Sequence, residues 1–118
     1  MIVLGIETSC DETAVALCHD GNILCSEIST QTIHRKFGGV VPEIASREHE
    51  RLLNEMVNYT INNSGIEKSK IEGIAVTQGP GLSGTLISGV SFISSDLLSE
   101  SFSFATGLPS RASLTAVA

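Results

Sequence analysis

The dipeptide Asp20-Gly21 constrains this chain more than any other feature, because it separates two apolar runs, "AVALCH" (14–19) and "NILCSEI" (22–28). A two-residue connection between strands favours a type I′ turn, with positive φ at both central positions, and Asp-Gly adopts it readily. The two runs are expected to form an antiparallel hairpin in which Cys18 faces Ile23 and Cys25 faces Ala16. A third apolar run, "IVLGIE" (2–7), reads as a buried strand. The first 28 residues therefore predict a three-stranded meander, followed by a polar loop, "STQTIHRKFGG".

Pro42 then opens a helical pattern. Proline suits the first helical turn, and Glu43 adds a favourable negative charge there. Ala45, His49, Leu52, Met56 and Thr60 follow near-helical spacing, with Leu53 and Val57 widening the stripe, and Ser64-Gly65 is the expected stop. That stripe reads as core. The charges around it read as a solvated face, with Glu43–Arg47 favourable and Arg47–Arg51 unfavourable. Residues 71–77, "IEGIAVT", predict a strand leading into "QGPGLSG", and 82–92 predict the start of a helix. The order β-β-β-α-β-α is an α/β pattern with a meander at one end.

Composition sets the outer bounds. The chain has 118 residues, enough for one domain, and 42% of them are hydrophobic, so a core can be buried. A net charge of −6 argues against a chain that grips a polyanion alone, since such binding leans on Lys and Arg. Three cysteines form neither a disulfide framework nor a zinc knuckle, which fits a reducing cytoplasm. No apolar run is long enough to span a membrane, and no basic segment with a cleavage site opens the chain, so a soluble, cytoplasmic protein is expected.

Two stretches carry chemistry. "ETSCDET" (7–13) places hydroxyls and acids in the bend between the first two strands. Thr8, Ser9 and Thr13 with successive amides suit an anion, and Glu7, Asp11 and Glu12 suit a metal ion or its water shell. The same residues also suit an ordinary solvated turn. Cys10 is not read as a nucleophile, because the neighbouring acids would raise its pKa. "GPGLSG" (79–84) matches G-x-G-x-x-G, but it follows the fourth strand, not the first, so the dinucleotide fingerprint fits poorly. Its glycines can serve phosphate proximity, helix–sheet packing, or both. His34 and His49 lack ligand neighbours at helical spacing. His49 is read as closing the apolar stripe and His34 as anchoring its loop.

Taken together, "VLGIETSCDETAVAL", "HRKFGGVVPEIASREHERLL" and "IAVTQGPGLSGTLISGVSF" resemble the TsaD family, the tRNA adenosine threonylcarbamoyltransferases once labelled O-sialoglycoprotein endopeptidases. The resemblance covers about the first 92 residues. It implies the N-terminal lobe of an actin-like, sugar-kinase-like (ribonuclease H-like) ATPase fold. It also implies transfer of a threonylcarbamoyl group from its adenylate to the adenosine beside the anticodon. Carried over by position, Ser9, Asp11 and Glu12 would be catalytic, and Thr8, Ser9, Gly79, Gly81 and Gly84 would border the nucleotide (ATP or threonylcarbamoyl-AMP). A divalent iron or zinc ion is implied as well, but its His-x-x-x-His ligands have no counterpart here, since no histidine follows His49. TsaB-like and TsaE-like partners and a tRNA substrate are implied, with the helix from Pro42 contributing to the TsaB-facing surface. No protease chemistry is expected, and the middle motif is not a kinase feature.

Residues 93–118 form a different region, a divergent serine-rich tail. From Ser91 onward the chain has eight serines in 28 residues and no lysine or histidine. A break of reading frame near residue 92 would produce this change. A lobe of this kind is expected to be inactive alone, or to serve as an interaction module for the TsaB-like partner.

Overall fold

The computed structural model describes residues 1–93. Four strands, β1 (Ile2–Glu7), β2 (Glu12–His19), β3 (Asn22–Thr30) and β4 (Gly73–Val76), form one sheet in the order β3-β2-β1-β4. Helices α1 (Pro42–Ser64) and α2 (Ser83–Phe92) complete the order β-β-β-α-β-α. The meander is antiparallel, and β4 pairs parallel to β1. The tail from residue 94 onward lies outside the described residues.

The hairpin turn has the expected geometry, with φ of 48° at Asp20 and 82° at Gly21. Cys18 faces Ile23 as expected, but Cys25 faces Leu17 and not Ala16. The register shifts between Leu17 and Cys18, so Leu24 is one extra residue on β3. A bulge of this kind cannot be read from spacing alone. Two strands run longer than their apolar runs, because Glu12 pairs with Thr30 and Thr13 with Ser29. β4 is shorter than 71–77, and the loop after β3 winds into a 3-10 turn over Thr32–Phe37.

Register explains the core. Leu4 pairs with Leu17 and Ile74, and Ile6 with Val15 and Val76, which puts these residues on one face of the sheet. Against that face α1 lays Leu53, Val57 and Ile61, and the C-terminal end of α2 adds Phe92 and Ile93. The buried stripe on α1 runs through Ala45, His49, Leu53, Val57, Thr60 and Ile61, so Ala45, His49 and Thr60 lie in it as expected, with Leu52 and Met56 only half-buried. The stripe is thus rotated from the one centred on Leu52 and Met56. Steps of four from Ala45 to Ile61, with Thr60 beside them, hold the helix's contact row against the sheet. The helix ends where Gly65 takes φ 73° and donates its N–H to Asn62.

Candidate functional site

β1 and β4 run parallel, so the segments that leave their C-terminal ends meet at the same sheet edge. In α/β sheets that edge is where ligands bind. One segment is the bend 8–11, and the other is 77–82, which leads into α2. Leu82 N–H donates to the Ser9 carbonyl at 2.8 Å, and the Thr85 hydroxyl lies 2.9 Å from that same oxygen. Thr8 is fully buried and its hydroxyl donates to the Thr85 carbonyl at 2.7 Å. Glu7, the last residue of β1, accepts from the Ser9 N–H at 2.5 Å and from the Thr77 hydroxyl. The two segments are therefore knitted together before any ligand arrives.

The glycines are where the segments touch. A Cβ on Gly81 would lie 2.5 Å from the Ser9 carbonyl oxygen, and one on Gly89 would lie 2.6 Å from the Thr8 hydroxyl. A Cβ on Gly84 would meet the Ser46 hydroxyl of α1 at 2.9 Å. Close backbone approach thus requires glycine at Gly81, Gly84 meets only a rotatable serine hydroxyl, and Gly79 has open space where a side chain would stand. α2 has no side-chain N-cap, and Ser83 and Gly84 are exposed in its first turn. Free N–H groups at such a terminus favour an anion.

The far end of the bend is held from the other flank. The Asp11 carbonyl accepts from Gln31 N–H at 2.9 Å, and Glu12, exposed at the start of β2, lies 3.4 Å from the Thr30 hydroxyl. Ser9 and Asp11 are half-buried. The structure thus joins Ser9 to the glycine segment and ties the Asp11 backbone and the Glu12 side chain to the end of β3, while the Asp11 carboxylate lies beside the Cys10 thiol. Cys10 is a free thiol. Burial and then the Asp11 carboxylate push its pKa up, so it stays protonated and is a poor nucleophile.

Sequence reasoning placed His49 in the apolar stripe of α1 and gave it no partner in the bend. It is fully buried beneath the bend, with Nε2 2.8 Å from the Cys10 carbonyl and Nδ1 2.8 Å from the Thr13 hydroxyl. A carbonyl only accepts, so Nε2 carries the proton and Nδ1 accepts from Thr13. Burial pushes the imidazole below its ordinary pKa, against the opposing pull of the Cys10 carbonyl, Glu7, Asp11 and Glu48. The available signal was a histidine in the middle of an apolar stripe, which must find partners if buried. His34 does anchor its loop: Nδ1 accepts from Val41 N–H at 3.1 Å and Nε2 contacts the Gln31 side chain at 2.7 Å.

A separate groove opens between Ile28 of β3 and Leu52, Met56 and Tyr59 of α1, flanked by Glu27 and Glu55. None of these residues belongs to the bend or to the 77–85 segment. Among the described residues, no three His, Cys, Asp or Glu side chains come together as a metal-ligand set. No helix among them is long and apolar enough to cross a membrane.

Residues 22–99 match the family TsaD, tRNA N6-adenosine threonylcarbamoyltransferase. The chain belongs to that family. A tRNA N6-adenosine threonylcarbamoyltransferase of Prosthecochloris aestuarii is 52% identical over 92 residues, which are 78% of this chain and 27% of the relative. One from Fervidobacterium nodosum is 56% identical over 93 residues, 78% of this chain and 28% of the relative. The chain thus spans about a quarter of the length of these TsaD relatives. Among solved structures, YeaZ from Pseudomonas aeruginosa superposes with a TM-score of 0.62 at 20% identity, over 91% of this chain and 44% of its own. That likeness establishes the fold, the actin-like lobe that opens with a meander.

Proposed function

We propose that this chain is the N-terminal part of an enzyme that transfers threonylcarbamoyl from threonylcarbamoyl-AMP to N6 of the adenosine beside the tRNA anticodon, in the cytoplasm. The bend 8–11 and the segment 79–85 form one wall of its adenylate site. The observation that carries this reading is the Leu82 N–H to Ser9 carbonyl bond, which brings both segments to one point at the end of the parallel strands. Family membership supplies the reaction class.

In the reaction, the adenosine amine attacks the carbamoyl carbon. The bond from that carbon to the phosphate oxygen breaks, and AMP leaves with the electron pair. The amine gives up a proton in the same sequence, and the bend's acids, Asp11 and Glu12, would accept it, the Glu7 carboxylate being engaged by Ser9 N–H and the Thr77 hydroxyl. The exposed amides at the start of α2, together with Ser9, Gly79 and Gly81, would hold the adenylate's phosphate. The described residues offer no ligand set for the family's divalent ion, and no step here is routed through one.

We assign to this chain the binding half of the cleft and not transfer by itself. The half-buried Leu52 and Met56 and the exposed Tyr59 give α1 a surface for a TsaB-like partner, while a TsaE-like protein and tRNA would join only the full assembly. A transfer assay with tRNA, ATP, threonine, bicarbonate and the partner proteins tests this. Background incorporation together with AMP contact at the bend supports the reading. Transfer by this chain alone overturns the division of labour, and AMP contact elsewhere overturns the site.

A further inference from the structure

Within the bend, three consecutive carbonyls are each held from outside it. Leu82 N–H and the Thr85 hydroxyl hold Ser9, and Gln31 N–H holds Asp11. Between them, the Cys10 carbonyl is held by a side chain, His49 of α1. The same ring takes the Thr13 hydroxyl on its other nitrogen. One imidazole thus grips the chain on both sides of Asp11 and Glu12.

We infer that His49 is the positioning residue of this bend: by fixing the Cys10 carbonyl and the Thr13 hydroxyl against α1, it sets the geometry in which Ser9 and Asp11 meet an adenylate. The inference rests on the reading of the bend as an adenylate wall. An apolar side chain would fill the stripe between Ala45 and Leu53 equally well. A buried imidazole is costly unless it satisfies groups that would otherwise be orphaned. Here it satisfies two, and Thr13 is itself fully buried. Glu7 and Asp11 from the bend side and Glu48 of α1 pull the ring toward protonation, so the neutral, Nε2-protonated form must be kept in the presence of nearby acids.

The test compares the ¹⁵N-labelled chain with His49→Gln, His49→Phe and Val57→Ala, the last a core change away from the bend. Gln keeps a donor for Cys10, while Phe keeps volume and loses both bonds. Expected in His49→Phe is a rise in amide exchange at residues 9–11 about tenfold larger than the rise at β2–β3 amides beyond Thr13, with Gln restoring it to within about threefold. In Val57→Ala the bend should track the rest of the sheet. Bend exchange in His49→Phe that merely tracks the sheet, as in Val57→Ala, would overturn the inference. So would long-range ¹H–¹⁵N spectra placing the proton on Nδ1. Should the Phe variant not fold, Thr13→Val carries the same test with one bond removed. An AMP titration runs in parallel. If AMP moves no bend amide in the unaltered chain, the adenylate reading fails, and the positioning role is judged on exchange and tautomer alone.

Discussion

Replacing Gly81 by alanine tests whether the glycine segment is shaped by contact with the bend. The added methyl would stand 2.5 Å from the Ser9 carbonyl oxygen, 2.8 Å from its Cβ and 3.0 Å from its Cα. Ordinary contact begins near 3.4 Å, so Ser9 and Gly81 must part by about 0.9 Å. The obstacle is mainly backbone and cannot rotate away. Parting the two segments stretches the 2.8 Å bond from Leu82 N–H and the 2.9 Å bond from the Thr85 hydroxyl, both to Ser9. Overpacking costs about 1–3 kcal/mol and a lost hydrogen bond about 1 kcal/mol more, so a loss of about 2–4 kcal/mol is expected. Urea unfolding followed by circular dichroism measures it. Gly39→Ala, where nothing lies within 4 Å, is the control and should stay within about 0.5 kcal/mol of the unaltered chain. A Gly81→Ala chain as stable as Gly39→Ala, with Ser9 amide shifts unmoved, would refute the contact argument.

Three further outcomes are expected. Because burial lowers the folded pKa of His49, its contribution to stability is present above the unfolded value of 6.5 and is lost as pH falls below it. Unfolding at pH 7.5 and 5.5 should show a larger loss in the unaltered chain than in His49→Gln, and equal losses would contradict the buried neutral ring. Leu53→Ala opens a void at the centre of the α1 stripe, where Leu53 is fully buried, and should cost about 2–5 kcal/mol, read as a collapse of the thermal transition. β3 is an edge strand with Ile23, Leu24 and Ile28 exposed, so light scattering should show concentration-dependent self-association that Ile28→Lys reduces; a monodisperse monomer with a sharp melt would count against it.

How much was legible in the sequence followed from how local each feature is. Asp20-Gly21, Pro42 and Gly65 act on their own neighbours, and the turn and both helix ends stand where those residues place them. The bulge at Leu24 depends on how β3 meets β2, which no local pattern encodes, and it displaced Cys25 from Ala16 to Leu17. The stripe on α1 was visible, but its centre was not, because Leu52 and Leu53 are indistinguishable until the sheet is in place. The bend and the glycine segment each announced a polar or permissive stretch. That Gly81 faces Ser9 and Gly89 faces Thr8 is set by the parallel pairing of β1 with β4, some 70 residues apart in the chain. His49 was hidden for the same reason, since both its partners belong to the opening meander.

The central claim is that the bend and the glycine segment form one wall of an adenylate site. Titrating AMP into the ¹⁵N-labelled chain tests it most directly. The account predicts that amides of Ser9–Asp11 and of Gly79–Thr85 shift together along one binding curve. Shifts confined to Ile28, Met56 and Tyr59, or shifts in one segment without the other, would contradict it.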